Sequence, residues 1–578
     1  MGTEAPEELT SDHHVDAPDG KGSDTSGAVR WFRRRWAQNL GAFVLYAGAS
    51  VLLFGRGAVG DVSHRVVGGV SSDADAFLWF MAWWPHAIAH GSYPFFTHAV
   101  WAPTGISLMW TTAVPVPSLA LWPITTALGP VAGFDALQLL VPATGAWATY
   151  LLCRRVSGDA LASFAGGWLF GFSSYTAIQL LAGHPNLGLT FLVPLAAYLI
   201  VRRIEGSLGP VAFVVLLGVT LAAQVGISTE VLATMTLIGA AAGVVGVVVA
   251  TRHARRAILR TGALAVAAYA LAAVLASPAL YAAAHFPRPT KATVVGSQAP
   301  VALARLAEFV GPGTAAQLRP GFLPDVSGAN GAYLGIALVV ILVLAAVAGR
   351  HRRVGIVLFV VASLAAVTSL GPSVLVGHVH LSTPWGLFGS LPLVRLAAPG
   401  RIVMYAVLAA AVAAAIVAAD GLRTWQRAVR WSLVGLAILS TLPNVTGQAW
   451  SAREPDPPFF ATAAYRAFVH PNETVVIVWV RKGDQMYWQA RSGMAFGLAG
   501  GYLGVTPPGI ADATFAKRLA AGQVGPAQTA RLRAFILDHH VAAVLVVGAS
   551  PRTMRAISKA FAVTPTVVGG VTVYRLAA

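Results

Sequence analysis

Charge is what this chain lacks most. Only 11% of its 578 residues are Asp, Glu, Lys or Arg, against about a quarter in soluble globular domains. With 56% apolar residues and a mean hydropathy of +0.67, it cannot furnish the surface of a soluble protein, and a soluble enzyme is excluded. Cysteine is nearly missing as well. Cys153 stands alone, so neither an intramolecular disulfide nor a thiolate metal cluster can form. Lysine is scarce beside arginine, 5 against 35. A net charge of +17 would suit nucleic acid, but the arginines lie in short clusters between apolar runs. There they set membrane topology beside anionic lipid, and nucleic acid is set aside as a partner.

What is present is a series of long uncharged runs. Residues 1–28 hold seven acidic residues and one lysine and read as a disordered cytoplasmic tail, not a cleavable signal peptide. Arg30, Arg33, Arg34 and Arg35 precede a first apolar span at 39–55. Further spans fall at 131–152, 159–176, 185–201, 208–226, 229–250, 257–281, 332–349, 354–371, 401–419 and 431–447. Arginine clusters at 154–155, 202–203, 252–260, 350–353 and 423–430 recur after every second span, and eleven spans put them all inside. Counting 112–128 as a span would reverse every later cluster. It holds three prolines and ends at Gly129-Pro130, so it reads as a helix on, or dipping into, the outer face.

The expected fold is a multi-pass α-helical membrane protein of about 11 transmembrane helices in the plasma membrane. Its transmembrane domain covers 29–450 with a first outer loop at 56–130, and further outer loops lie near 282–331 and 372–400. From Glu454 onward charge returns, and β-branched runs appear at 474–480, 542–548 and 571–576 around a helical pattern at 526–540. Residues 451–578 therefore read as a small extracytoplasmic α/β domain. This segment has no Walker loop and no dinucleotide fingerprint. His539 and His540 end its helical pattern without a third ligand nearby and read as a solvated terminus. Tyr487, Trp488 and Gln489 suit contact with a bound ligand and core packing equally.

So few carboxylates can be inspected singly. After Asp61, the first outer loop carries Asp73 and Asp75 in SSDADAFLWFMAWWPHAIAHGSYPFF. They open an aromatic stretch, Phe77 to His90, expected to lie flat at the interface with Trp79, Trp83 and Trp84 toward lipid. A carboxylate there suits a general base acting on a hydroxyl at the membrane surface. The competing reading is that one of the two caps the helix. His86 and His90 are four apart, as zinc ligands can be, but HExxH and a same-face carboxylate are absent, so no metal site is assigned.

The order of these features resembles a known architecture. An outward loop opens on an aspartate, runs into an aromatic juxtamembrane helix, and reaches Gly91, Pro94 and Phe95; a second apolar juxtamembrane helix and a span ending LLCRRVSG follow. This is similar to membrane glycosyltransferases of the GT-C fold. More narrowly it resembles actinobacterial members with the pattern formed here by Asp73, Phe77, Trp79, Phe80, Ala82, Trp83, Trp84, Pro85, His86 and Ala87. The resemblance implies an inverting transfer of a sugar from a polyprenyl-phosphate donor to a glycan, lipid or protein acceptor at the outer face. It also implies a loop aspartate as base, or as metal ligand in some members. Asp73 takes that position and Asp75 is second. The adjacent acidic pair of other members is absent, and whether a divalent cation takes part stays open.

Such a donor delivers its phosphate where fixed positive charge is needed. Arg401 follows Pro399-Gly400 at a helix start, Arg395 precedes it on the same loop, and Arg288 and Lys291 follow the seventh span. Interfacial snorkelling is the alternative for each arginine. Glu230, at the outer end of the sixth span, must face a cavity or a partner, as substrate contact or as structural ion pair. His184 and Asn186 cap the second outer loop, where the resemblance implies a polar substrate contact. Two other functions compete: a transporter or flippase of lipid-linked saccharide, which would show repeats and mid-membrane charge, and a non-catalytic scaffold. No convincing repeat is seen.

Overall fold

The computed structural model describes residues 25–289, 301–302, 309, 332–376, 378–391, 394, 397–420, 423–447, 449–478, 483–508, 525–561 and 563–576. Most of the acidic tail, Lys291 and Arg395 lie outside them. The chain opens with α1 (Thr25–Ser50), continued by a π turn, Val51–Gly55. The first loop then carries β1 (Arg65–Val67), α2 (Ser72–Ala89), and the short pair β2 (Phe96–Thr97) and β3 (Ile106–Ser107). The proline-rich segment after it forms α3 (Pro115–Ala120) and α4 (Trp122–Leu128). Helices of six and seven residues fall far short of the ~20 needed to cross a bilayer.

The helical bundle follows with α5 (Pro130–Ser157), α6 (Ala160–Gly171), α7 (Ser174–Ala182), α8 (Pro185–Gly188), α9 (Leu192–Ile204), α10 (Pro210–Val225), α11 (Thr229–Val249), α12 (Arg252–Leu275) and α13 (Ser277–His285). Past a short strand, β4 (Val301–Ala302), come α14 (Ile336–Val347) and α15 (Arg352–Ser369). A hairpin of β5 (Ser373–Val376) and β6 (Val379–Ser382), then α16 (Pro384–Phe388), α17 (Val403–Ala419) and α18 (Thr424–Thr441), complete it. Among the described residues, seven helices are long and apolar enough to cross a membrane, and two shorter apolar helices, Pro210–Val225 and Ile336–Val347, join them. The expected span at 159–176 is divided between α6 and α7.

Helix α17 is the axis of the bundle. Its residues Val403 to Ala418 are all buried, because a run of alanines lets α5, α6, α14 and α15 approach its backbone closely. Gly166 of α6 shows how close: a Cβ there would lie 2.9 Å from the Ala411 carbonyl. Outer helices expose valines instead, with Val211 76% and Val248 71% exposed, as hydrocarbon contact requires.

The arginine clusters converge at one end of this bundle. Arg155 pairs with Glu205, Arg350 and Arg430 both reach Asp420 at 3.5 and 3.8 Å, and Arg350 also donates to the Ser157 carbonyl. These residues follow the second, fourth, eighth and tenth expected spans, so even-numbered crossings end together.

Past the bundle, β7 (Ser451–Arg453) pairs antiparallel with β1 of the first loop, Arg65 opposite Arg453. Then come α19 (Pro458–Ala461), β8 (Thr474–Val478), α20 (Asp484–Arg491), β9 (Gly497–Leu498), a helix Pro526–Asp538, β10 (Val541–Val547), a helix Pro551–Phe561, β11 (Thr566–Val568) and β12 (Val571–Arg575). The sheet order is β11-β12-β10-β8-β9, with β8 parallel to both neighbours and β12 antiparallel to both of its own. The first loop extends its edge. Leu498 donates to the Ala99 carbonyl and accepts from the Ala102 N–H, at 2.8 and 2.9 Å. The first loop and the C-terminal layer are thus one hydrogen-bonded body.

Candidate functional site

The site begins at the N-terminus of α2. Ser71, not an aspartate, is the N-cap; its hydroxyl accepts from the Ala74 N–H, so the capping reading of Asp73 and Asp75 does not hold. Successive helical positions turn by about 100°, so two residues apart point in nearly opposite directions. Asp73 turns outward, its side chain 43% exposed, and Asp75 turns inward and is completely buried.

Both carboxylate oxygens of Asp73 are engaged. Oδ2 lies 2.9 Å from Nε2 of His184, at the turn between α7 and α8. Oδ1 accepts from the Tyr502 hydroxyl at 2.7 Å, which comes from the C-terminal layer. Burial first, and the neighbouring Asp73 next, push the Tyr502 phenol up to about 12, so it stays a proton donor. His184 also sets its other ring nitrogen 3.3 Å from the Gln179 side chain. Asn186, two residues on, is buried.

The same end of the bundle holds Glu230 and Arg401. One Glu230 oxygen accepts from the Arg401 guanidinium and the other from the Ala398 N–H, so of the two readings for Glu230 the cationic partner is the one found. Arg401 sits in a 3₁₀ turn, Pro399–Ile402, that leads into α17. Glu230 also interacts electrostatically with His184, which stands between the two acidic centres. Asp73, His184, Glu230 and Arg401 are therefore brought together from α2, the α7–α8 turn, α11 and the start of α17. Arg288 is elsewhere, its guanidinium 5.0 Å above the Trp110 ring. Lys291 and Arg395 lie outside the described residues.

The aromatic helix corrects one expectation. Trp79, Trp83 and Trp84 do not face lipid but are buried, and each indole N–H finds a protein acceptor: Gln489, the Pro94 carbonyl and the Ala113 carbonyl. Helix α2 packs on α3 and α20, so its aromatic face is the seam between the first loop and the C-terminal layer. Tyr487, Trp488 and Gln489 are core on the other side of that seam. His86 and His90 stack with ring centroids 4.1 Å apart, and the His90 ring bonds to the His86 carbonyl. Burial, then His90, holds the His86 pKa below the ordinary histidine value.

One group of three potential metal ligands occurs among the described residues, Asp75, Glu454 and Asp484, all buried, with ligand atoms within 4.8 Å of one another. Tyr502, Glu454 and Asp484 were not singled out in the sequence. Asp135 was also passed over. It is buried in α5 and accepts from the Val67 N–H at 2.7 Å, and a lone carboxylate inside an apolar span was signal enough to find it.

No protein-family model and no curated protein matches this sequence. Solved structures do. The oligosaccharyltransferase AglB of Archaeoglobus fulgidus, in complex with an inhibitory peptide and a dolichol-phosphate, superposes with a TM-score of 0.50 at 13% identity, over 89% of this chain and 70% of that one. The arabinofuranosyltransferase AftD from Mycobacteria superposes with a TM-score of 0.57 at 14% identity, over 94% of this chain and 40% of that one. Bundle, first loop and helix order together show that this is a multi-pass helical membrane protein with the GT-C fold.

Proposed function

We propose that the protein is an inverting glycosyltransferase of the plasma membrane, moving a sugar from a polyprenyl-phosphate carrier to a cell-envelope acceptor at the outer face. The observation that carries this reading is Asp73, held at both oxygens by His184 and Tyr502 yet 43% exposed, at the bundle end that bears Arg401. The AglB structure contains a dolichol-phosphate, which supports a lipid-linked donor.

In this mechanism Asp73 takes the proton of the acceptor hydroxyl. The hydroxyl oxygen bonds to the anomeric carbon from the face opposite the phosphate, and the bond from that carbon to the phosphate oxygen breaks. The pair of electrons leaves with the polyprenyl phosphate. Arg401 stabilises that charge; Glu230 engages one guanidinium nitrogen, and the other donors of the group remain for phosphate. His184 orients Asp73. Among the described residues no third acid or histidine brings a ligand atom within 4.8 Å of both Asp73 and His184, so no step is routed through a metal there.

The test is a deletion strain complemented with wild type, Asp73→Asn or Arg401→Ala, read by envelope glycan profiling and by assay of the purified proteins with a panel of synthetic polyprenyl-phosphate sugars. Asp73→Asn should lower transfer by roughly 10²–10⁴-fold at normal protein level, and Arg401→Ala should raise KM for donor more than for acceptor. An unchanged glycan profile in the deletion strain, or full transfer by Asp73→Asn, refutes the reading in favour of a transporter or scaffold.

A further inference from the structure

We propose that Glu230 is a positioning residue for the donor phosphate: it clasps the turn that carries Arg401 and aims the guanidinium at the leaving group. This role rests on the lipid-linked donor proposed above, and in it Glu230 touches no substrate. Ala398 and Arg401 are the two ends of one turn, closed by the Arg401 N–H donating to the Ala398 carbonyl at 3.0 Å. Glu230 holds both ends. One of its oxygens accepts from the Ala398 N–H at 3.2 Å and the other from the Arg401 guanidinium at 2.5 Å. Pro399 and Gly400 between them and Ile402 beyond are buried, so the backbone of the turn is seated and the arginine side chain, 25% exposed, looks out. Among the described residues Glu230 is the only hydrogen-bond partner of that side chain.

Two helices set the alignment. Ser228 caps α11, its hydroxyl accepting from the Val231 N–H at 3.3 Å. Glu230 therefore falls in the first turn, where a helix N-terminus favours a carboxylate. Arg401 stands at the matching end of α17, where the same field disfavours a cation. An arginine in that place needs an anion beside it, and Glu230 supplies one. One turn farther along both helices, Thr234 and Tyr405 share a second hydrogen bond at 2.8 Å, and the Tyr405 hydroxyl also reaches the Val231 carbonyl at 3.3 Å. The two rungs are four residues apart on each helix, so they lock α11 and α17 in one register.

Stability does not account for the ion pair. Apolar residues of the same volume would hold the two helices as well, because desolvating both charges offsets most of their attraction. What they could not do is fix a guanidinium in direction. Arginine carries five donors in a planar fork, so engaging one nitrogen through Glu230 sets where the others point. Charge oriented in advance needs no reorganisation when the phosphate leaves.

Purified full-length protein in detergent is titrated with a sugar-free polyprenyl monophosphate and assayed for transfer with the sugar-loaded donor. Glu230→Gln keeps the size of the side chain and removes its charge. It should weaken polyprenyl-phosphate binding and raise the donor KM by about 10- to 100-fold, the effect of losing one charge-assisted hydrogen bond, with the acceptor KM unchanged. Added to Arg401→Gln, it should deepen the loss by less than about twofold, since Glu230 acts through Arg401. Unfolding temperature separates this from a merely structural role. Arg401→Gln strands a carboxylate and should melt lower, while the double variant should recover its melting temperature without recovering phosphate binding. If Glu230→Gln does not fold, Glu230→Asp carries the same comparison: it keeps the charge, is one methylene too short to hold both ends of the turn, and should weaken phosphate binding too. Wild-type binding of polyprenyl phosphate that neither Glu230 variant alters overturns the role and leaves the donor intact. Losses that multiply in the double variant also overturn it, by making Glu230 a substrate contact. Wild-type protein that binds no polyprenyl phosphate removes the donor and this role together.

Discussion

A separation of two residues decides the roles of Asp73 and Asp75. Their pairing was visible in a sequence with so little charge, and half a helical turn then sends one to an exposed face and the other into the interior. Which went where was not legible, since the Ser71 cap that sets the helical phase is a local hydrogen bond. Tyr502 was less legible still. It lies 429 residues from its partner Asp73 in an uncharged Gly-Gly-Tyr-Leu-Gly stretch, and nothing local marks it. Tyr502→Phe removes one hydrogen bond to an ionised carboxylate and should lower transfer by about 10- to 100-fold, given the usual 1.5–3 kcal/mol for such a bond. It should also change the alkaline limb of stability. An unfolded tyrosine titrates near 10 and Tyr502 near 12, so between those values the folded chain holds the extra proton. Raising pH through that window therefore favours unfolding. Melting curves at stepped pH should show this loss reduced in Tyr502→Phe, and an identical slope would mean that the phenol titrates normally.

At the level of elements, hydrophobic runs and arginine clusters placed the helices well because both signals are local. Each expected span has a helix, and the proline-rich 112–128 segment is broken into two short ones. The environment of α2 was misread for a physical reason. Tryptophan-rich amphipathic helices suit an interface with lipid and an interface with protein equally, and only the third dimension supplies Gln489. That side chain accepts from the Trp79 indole at 2.6 Å and donates to the Ala99 and Phe496 carbonyls at 2.7 Å. In Gln489→Leu the Ala99 carbonyl still receives the Leu498 N–H, but the buried Trp79 N–H is left without its acceptor. The expected cost is about 2–3 kcal/mol, read as a lower unfolding temperature and faster proteolysis between the first loop and the C-terminal layer. A neutral substitution would mean that the seam is held by its apolar contacts alone.

For the whole molecule, the two ends of the bundle differ in chemistry. One gathers Arg155, Glu205, Arg350, Asp420 and Arg430; the other gathers Asp73, His184, Glu230 and Arg401. Arginine-rich ends stay in the cytosol, so the proposed orientation puts the Asp73 end and the C-terminal layer hydrogen-bonded to it outside. The chain is convenient for testing this, because its sole cysteine is buried and any introduced thiol reports alone. Ser92, beyond α2, and Thr424, at the start of α18, are both exposed. In intact spheroplasts a membrane-impermeant maleimide should label Ser92→Cys at once and Thr424→Cys only after permeabilisation. The reverse pattern would put Asp73 among nucleotide sugars in the cytosol, where a lipid-linked donor confers no advantage, and the proposed reaction would lose its physical basis. Equal labelling of both before permeabilisation would mean an even number of crossings between Ser92 and Thr424, against the nine that the arginine clusters require.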